Sequence, residues 1–412
     1  FDTYIFSPFH DGAGGQTDQR LLVVALKWTA LADTSQAAIS SIIDLDLAQT
    51  ATNGREFAVQ RSSGNYLVEQ NDAGVRFLIA SLGDTALQTT AGISGSAQDP
   101  MALLKNGQAF GDHPLDADGA SDAHLVLGMR QQVAGGTIAK GESGWVAIVL
   151  SLSIDAAHSE NQQWQAVSQF MGSRTAEQLV SDEVAFWDTW HSKESIPAGV
   201  HPYERRLFRQ STAILKMGQV REGGRGHGQI LASLIPGNWN ISWVRDAAYA
   251  IMGLTAAGHY DEAKAGLSFM LGAQMRKDGN RNFYQVNYIE RDLGVSLSSD
   301  YAISVTRYYG NGTEESDINT AGPNIEWDNW GLFLWALGDY VAKSGDRTLV
   351  DAHWDTISLR VADLLIELTE SERDLLHTDS SIWERHWSRY GAAVEPETRK
   401  HFTYSNICAY QG

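Results

Sequence analysis

The stretch Gly237-Asn-Trp-Asn-Ile-Ser-Trp-Val-Arg-Asp-Ala-Ala-Tyr249 is the most informative part of this chain. Its second half begins a helical pattern, so Arg245 and Asp246 fall in the first turn of a predicted helix. A guanidinium offers a fork of donors and a carboxylate offers acceptors, which together can hold adjacent sugar hydroxyls. Trp239 and Trp243 would then form the walls of the site. A helix start with an aspartate favoured by the helix dipole and a buried tryptophan explains the same residues, and chemistry alone leaves both interpretations open.

The helical pattern extends through the second half of the chain. Apolar spacing predicts helices over 203–220, 244–257, 260–276, 327–343 and 347–369, and one that begins near 402. Gly258 and Gly345 stand where glycines end helices. The connections 223–243 and 277–326 are too long for simple turns, and loops of that length usually carry function. Helix pairs with long loops at one end predict an (α/α)6 barrel, of which six helices make the first half.

A second motif, Gly322-Pro-Asn-Ile-Glu-Trp-Asp-Asn-Trp-Gly331, stands at the entry to another predicted helix. Glu326 and Asp328 lie there beside Trp327 and Trp330. Carboxylates at a helix start are often only caps, because the helix dipole favours negative charge at that end. Two neighbouring tryptophans favour a sugar contact as strongly, so both interpretations stay open.

A third motif is Ser381-Ile-Trp-Glu-Arg385. Apolar walls raise the pKa of a carboxyl by desolvation, so a glutamate that follows Trp383 can serve as a general acid. A surface glutamate paired with Arg385 is the simpler alternative for Glu384. A general acid must be protonated near the working pH. If Glu384 is the acid, we therefore expect a partly desolvated pocket around its side chain.

The first part of the chain has a strand pattern instead. Turn clusters separate short apolar segments at Leu21–Leu26, Ile39–Leu45, Val75–Leu82, His124–Met129 and Trp145–Ile154. Their length and spacing predict an antiparallel β-sandwich. Helical spacing over 158–171 and 174–194 predicts a helical linker. We therefore predict a β plus α multidomain chain with a β-sandwich at 1–156, a helical linker at 157–200 and the barrel half at 201–412.

Composition excludes several classes of partner. The formal net charge of −19 argues against nucleic acid, whose phosphates need a basic surface, and disfavours an anionic membrane. No apolar run approaches the ~18 residues of a membrane span. The single cysteine, Cys408, excludes a disulfide within the chain and Cys-based metal sites. The twelve histidines show no ligand spacing, so we expect neither a metal nor a cofactor.

Two further features bear on ligands and location. Gly223-Gly-Arg-Gly-His-Gly228 is rich in glycine, but no strand of a βαβ unit precedes it. It therefore predicts a flexible loop rather than a nucleotide site. The chain starts at Phe1, as a chain does after removal of a signal peptide, which favours a secreted or periplasmic location over a cytoplasmic one.

Taken together, the motifs resemble glycoside hydrolase family 15, which includes glucoamylase, glucodextranase and bacterial trehalase-like enzymes. Their order along the chain agrees with that family: Trp243–Ala248, Gly258–Ala263, Gly322–Gly331, Ile382–Glu384 and His401–Ser405. The resemblance is strong over 202–412. Over 1–155 it is architectural only, since prokaryotic members carry a β-sandwich and a linker there.

The resemblance implies an (α/α)6 barrel that hydrolyses a terminal α-glucosidic bond with inversion, on α-glucans or α-glucosyl oligosaccharides. By motif, Glu384 matches the general acid, and Arg245 and Asp246 match the residues that hold the terminal glucose. Trp243 matches an aromatic wall, and Trp383 precedes the acid as it does in the family.

Other residues are placed less securely by the resemblance. Glu326, Asp328 and Trp327 are candidates for the substrate site, as is Trp239. Inversion also needs a base roughly 6.5–9.5 Å from the acid, which activates a water across the sugar ring. In the family this base lies in the later barrel helices, and no residue of this sequence matches it. We therefore expect either a second chain that carries the rest of the barrel and the base, which we prefer, or a longer polypeptide of which this sequence is a part.

Three functions remain open at this stage. The first is hydrolysis of an α-glucoside. The second is phosphorolysis or glucosyl transfer on a related scaffold, and the third is glycan binding without catalysis. The linkage, whether α-1,4, α-1,6 or the α,α-1,1 bond of trehalose, depends on the loops 223–243, 277–326 and 385–400.

Overall fold

The computed structural model describes residues 1–10, 20–45, 47, 56–61, 66–82, 88–110, 124–154, 157–234, 237–387 and 399–412. These residues form two compact units, Phe1–Thr189 and Trp190–Gly412. The boundaries predicted at residues 156 and 200 stay predictions. Among the described residues, no helix is both long and apolar enough to cross a membrane. Most of the loop at 385–400 lies outside the described residues.

The first unit is built on two larger antiparallel sheets. Its strands are β1 Asp2–Phe6, β2 Leu21–Thr29, β3 Thr34–Ser35, β4 Ala38–Asp44, β5 Glu56–Arg61, β6 Tyr66–Asn71, β7 Arg76–Leu82, β8 Gln88–Ile93, β9 Leu125–Gln132, β10 Thr137–Ile138 and β11 Ser143–Ser153. Six of them form one sheet in the order β1-β2-β11-β7-β6-β5, and three form another in the order β4-β9-β8. Strands β3 and β10 pair separately. The five predicted strands correspond to β2, β4, β7, β9 and β11, so the antiparallel β prediction is confirmed.

Apolar side chains hold both faces of the six-stranded sheet. Ile79 and Ile148 on one face pack with Leu127 and Met129 of the three-stranded sheet. The other face packs against two helices, α2 Glu160–Met171 and α3 Ala176–His191, through side chains such as Phe170. Each buried side chain of this size contributes about 1.5–3 kcal/mol when it leaves water. A short helix, α1 Pro100–Lys105, lies beside the smaller sheet.

The second unit is helical. Its helices are α4 Pro202–Met217, α5 Val244–Ala257, α6 Tyr260–Gly272, α7 Glu290–Leu293, α8 Asp328–Ser344, α9 Thr348–Ile357, α10 Asp363–Glu367 and α11 Thr403–Gln411. The six helices predicted from sequence are present, with one correction. The pattern over 347–369 is not one continuous helix, because a π-helical turn, Ser358–Ala362, separates α9 from α10. Another π-helical turn, Gln285–Ile289, precedes α7.

Helix α8 lies at the centre of the helical packing. It contacts α5 on one side and α11 on the other, and α5 also contacts α6 and α4. Gly331 makes the close approach of α11 possible, since a Cβ at this position would meet the Cys408 carbonyl oxygen at 2.3 Å. Gly258 and Gly345 adopt left-handed backbone angles directly after α5 and α8, as predicted. These helix contacts do not establish the predicted half barrel, which stays a prediction.

The long connections contain only short elements. These are β12 Ser242–Trp243, β13 Lys277–Asp278, β14 Arg281–Asn282, β15 Arg307–Tyr308, β16 Glu314–Glu315, β17 Thr369–Glu370 and β18 Leu375–Leu376. Strands β12, β15 and β16 form a three-stranded sheet. This sheet ties the loop 277–326 to the residues that directly precede α5, and it positions the site described next.

Candidate active site

The start of α5 places three of the predicted site residues. Trp243 is the last residue before the helix and is buried, while Arg245 and Asp246 occupy the first turn. Arg245 is 8% exposed, whereas Asp246 is exposed. The Asp246 carboxylate is favoured by the helix dipole at this end. Desolvation by neighbouring atoms raises the pKa of Asp246, and the charge of Arg245 opposes that shift.

Two buried carboxylates hold the Arg245 guanidinium from behind. Its Nη1 donates to Glu326 Oε2 at 2.6 Å and to Asp328 Oδ2 at 3.1 Å. Both carboxylates are fully buried. The structure thus joins residues that lie about eighty positions apart in the chain. The guanidinium is fixed in orientation, because a planar fork bound to two acceptors cannot rotate freely.

Burial and charge shift the pKa of each member of this group. Burial raises the pKa of Glu326 well above its usual range, and the charge of Arg245 opposes this. The pKa of Asp328 is raised for the same reason. Burial lowers the pKa of Arg245, but the two carboxylates outweigh it and raise the pKa overall. Asp379 is also fully buried, and desolvation followed by the charge of Asp328 raises its pKa well above the usual range.

Glu384 reaches the same guanidinium from the solvent side. Its Oε1 lies 3.8 Å from Arg245 Nη2, and its side chain is 40% exposed. The residue adopts a left-handed backbone with φ of 48°, and Ser381 does so with φ of 49°. Such angles are unfavourable for residues other than glycine and occur often at functional sites.

Hydrogen bonds hold the Glu384 turn in place. The Glu384 N–H donates to the Ser381 carbonyl at 2.9 Å. Ser381 is fully buried, and its Oγ lies 3.0 Å from the donating Ser405 Oγ of α11. The Ser380 N–H donates to the Ile325 carbonyl at 2.8 Å. The turn is therefore fastened both to α11 and to the residues that precede α8.

A cavity of about 380 Å³ unites most of the predicted site. It is lined by Ala232, Trp239, Trp243, Arg245, Asp246, Ile382 and Glu384. This volume falls within the roughly 300–1,000 Å³ typical of small-molecule sites. A neighbouring cavity of about 580 Å³ shares Ala232, Arg245, Asp246 and Ile382 with it. Aromatic walls, a fixed cation and two carboxylates thus converge on one space that is large enough for a sugar ring.

The four predicted tryptophans have different environments. Trp243 is buried, and the Arg307 guanidinium stacks 4.6 Å from the centre of its ring. Trp239 lines the cavity and is 65% exposed. Trp383 is 70% exposed and is not among the lining residues. Trp327 is fully buried, and its Nε1 donates to the His377 carbonyl, so its side chain belongs to the core.

Besides Trp383, three buried predicted residues do not line the cavity, and other residues join it. Glu326, Asp328 and Trp327 lie beneath it, where the first two hold Arg245. Ala232 and Ile382 line the cavity although no sequence signal singled them out as lining residues. Arg307 was also missed, because it lies in a long loop whose path the sequence does not reveal. Among the described residues, no group of three His, Cys, Asp or Glu side chains is arranged to hold a metal ion.

Comparison with known proteins relates the chain to solved structures. No protein-family model and no curated protein matches it. A structure described as "Putative kojibiose phosphorylase from human microbiome" aligns over 87% of this chain with a TM-score of 0.50 and 10% identity. The chain spans 42% of the length of that protein. At this identity the likeness shows a shared fold and nothing more.

Two glycosidase structures align less closely. One glycosidase variant aligns over 46% of this chain and 47% of its own length, with 20% identity and a TM-score of 0.33. A second variant, solved in complex with glucose, aligns over the same shares with 21% identity and a TM-score of 0.33.

Proposed function

We propose that this protein is an exo-acting enzyme that releases glucose, with inversion, from the non-reducing end of α-glucans or α-glucosyl oligosaccharides. The observation that carries the proposal is the cavity of about 380 Å³ in which Trp239, Trp243, Arg245, Asp246 and Glu384 meet. A neutral sugar needs apolar faces for its ring and fixed donors and acceptors for its hydroxyls. This cavity offers both. The resemblance to glycoside hydrolase family 15 supports the same chemistry.

Arg245 and Asp246 hold the terminal glucose in this proposal. Each hydroxyl of a sugar can donate and accept, so a guanidinium and a carboxylate side by side can bind two neighbouring hydroxyls. Arg245 is already oriented by Glu326 and Asp328, which lowers the ordering cost of binding. These two carboxylates therefore support the substrate site without contacting the sugar.

Glu384 acts as the general acid. Its carboxyl lines the cavity and is held by a turn with an unusual backbone conformation. In this role it donates a proton to the glycosidic oxygen as the bond to the leaving group breaks. Trp383, exposed beside the acid, packs against the sugar on the leaving-group side. A bound sugar would cover much of the exposed surface of Glu384, which gives the acid the desolvation its role requires.

In this proposal the catalytic base comes from a part of the barrel outside this sequence, on the same polypeptide or on a second one. Several large apolar side chains of α4 and α11 are exposed, among them Tyr203, Leu207, Ile214, Ile407 and Tyr410. Exposed apolar surface of this kind marks an interaction site. A partner that covers it can place a carboxylate across the cavity from the acid. Intact-mass analysis of the native, active protein tests this idea, and one active species near 45.1 kDa would exclude it.

Product analysis tests the proposed reaction. The protein is incubated with maltose, isomaltose, kojibiose and trehalose, and proton NMR follows the anomer that is released first. We expect β-glucose from at least one of them, because inversion of an α-glucoside gives the β anomer. The second glucose of these disaccharides appears with the anomeric form it had in the substrate, so only the glucose from the non-reducing end reports the mechanism. Its release as the α anomer would exclude inversion.

Phosphorolysis is the second candidate. The observation in its favour is the fold shared with a structure described as a kojibiose phosphorylase. The same incubations with and without inorganic phosphate separate the two reactions, since a phosphorylase forms glucose 1-phosphate only when phosphate is present. Sugar binding without turnover under either condition would instead support a glycan-binding protein.

A further inference from the structure

A glutamate outside the cavity is buried in the long loop before α8. Glu314 lies on β16, is 4% exposed, and accepts three hydrogen bonds. Its Oε1 accepts from the Val305 N–H at 3.1 Å. Its Oε2 accepts from the Arg276 N–H at 3.0 Å and from the Tyr301 hydroxyl at 3.1 Å. One side chain of β16 therefore joins Arg276, next to the start of the loop, to the segment 301–305.

The backbone that Glu314 holds in turn supports the cavity. The Val305 carbonyl accepts from the Glu326 N–H at 3.0 Å and from Asn329 Nδ2 at 2.9 Å. The Thr306 carbonyl accepts from the Val244 N–H, also at 3.0 Å. Glu326 is the carboxylate that orients Arg245, and Val244 stands between Trp243 and Arg245. Residues 305 and 306 thus connect Glu314 to both the arginine and the aromatic wall.

We propose that Glu314 is a positioning residue, whose carboxylate fixes residues 305 and 306 and through them the sugar-binding geometry of Arg245 and Trp243. This proposal rests on the proposed function in one respect, which is that the ligand of the cavity is a sugar. Strand pairing adds a second connection, because Arg307 of β15 pairs with both Trp243 of β12 and Glu315 of β16. A shift of β16 would therefore move the residue that stacks on Trp243.

The three contacts of Glu314 require an acceptor at both oxygens. A protonated carboxyl carries a hydrogen on one oxygen, so that oxygen accepts more weakly from its amide N–H group, and the Tyr301 hydroxyl must accept instead of donate where the hydrogen faces it. Burial raises the pKa of Glu314 to about 7, while the Val305 and Arg276 amides and the Tyr301 hydroxyl oppose that shift. The other ionisable groups that interact with it are Tyr284 and Tyr308. Protonation, and with it loosening of the loop, is therefore expected just below neutral pH.

The variant Glu314→Gln tests this proposal, since a glutamine presents a donor permanently at one position. Glu262→Gln is the matched control, because Glu262 is equally buried in the same unit but binds Lys216 and Trp190 instead. Titration calorimetry measures affinity for the best α-glucoside between about pH 5.5 and pH 8. We expect wild-type affinity to fall between about pH 8 and pH 5.5, with about 30-fold as the limit reached if the protonated form does not bind, because each pH unit below the pKa is tenfold. The Glu314→Gln protein should bind weakly at all these pH values, without that step.

Hydrogen exchange of the backbone gives a readout that does not need a sugar. Corrected for intrinsic rates, the Val244 and Glu326 amides should exchange at least tenfold faster in Glu314→Gln than in wild type or in Glu262→Gln. Unchanged exchange at both amides would overturn the proposal. So would a pH step in binding that persists in Glu314→Gln. If no α-glucoside binds wild type but the exchange result is as expected, the proposed function fails and the positioning role stands.

Discussion

Replacing Arg245 by methionine should destabilise the helical unit strongly. The guanidinium is the cation that binds Glu326 and Asp328, and both carboxylates are fully buried. Removal of one partner from a buried ion pair costs about 3–5 kcal/mol, because it leaves uncompensated charge in the interior. We therefore expect the free energy of unfolding at about pH 7 to fall by that amount.

The size of this loss should depend on pH in a defined direction. Without the arginine, a carboxylate that stays buried in the folded protein is expected to take up a proton, because burial disfavours its charged form. Protonation of a glutamate with the ordinary pKa of 4.5 costs ~3.4 kcal/mol at pH 7, because each pH unit above the pKa adds ~1.36 kcal/mol. The folded state then binds more protons than the unfolded state, so the variant regains stability as pH falls. Between about pH 7 and pH 5 it should regain ~2.7 kcal/mol for each carboxyl that becomes neutral.

Urea unfolding followed by far-ultraviolet circular dichroism measures this loss, because the second unit contains most of the helix. Arg347→Met is the control. Arg347, which directly precedes α9, forms an exposed ion pair with Asp351 of α9. Such pairs contribute about 0–1 kcal/mol. The reasoning is refuted if Arg245→Met loses less than about 1 kcal/mol at pH 7, or if its loss is the same at pH 5.

Three further predictions concern catalysis, packing and reactivity. Glu384→Gln should lower turnover by about 10²–10⁴-fold while sugar affinity changes little, and turnover at the wild-type rate would show that Glu384 is not the acid. Gly331→Ala should destabilise by about 1–3 kcal/mol through its clash with α11, whereas Gly338→Ala on the same helix meets no atom within 4 Å and should stabilise. Urea unfolding compares the two. Burial raises the pKa of the Cys408 thiol from 9.0 to about 11, so at pH 8 a thiol reagent should label the folded protein about 100-fold more slowly than the unfolded protein.

The helices could be predicted from sequence because their ends carry local signals. The predicted helix 244–257 matches α5 in full, since Gly258 ends it with a left-handed backbone. The π-helical turn Ser358–Ala362 could not be predicted, because its apolar spacing is close to that of an α-helix. Strand β6 was missed for another reason. Glu69 and Asn71 are fully buried in it, so the apolar alternation that marks a strand is interrupted.

The residues of the cavity were easier to identify than their roles. The pairing of Arg245 with Asp246 and the Trp-Glu dipeptide at 383–384 point to the cavity because each is local in sequence. Whether the carboxylates of Glu326 and Asp328 face a sugar or an arginine depends on a contact between distant parts of the chain. Local pattern holds no information on that contact. The same limit applies to Trp327. Its sequence neighbours are the acids Glu326 and Asp328, as they could be for an exposed tryptophan, but its side chain is buried.

Among the residues that the structure describes, the acids around Arg245 outnumber the cation that binds them. Glu326 and Asp328 bind it directly, and Glu384 lies 3.8 Å from its Nη2. Asp379 adds a further buried carboxyl, whose pKa is raised by desolvation first and by the charge of Asp328 second. Burial raises the pKa of several of these carboxyls, so each of them takes up a proton more readily than an exposed acid does. An excess of acid around one cation is costly for stability, so its presence beside a sugar-sized cavity is better explained by a binding or catalytic role than by folding alone.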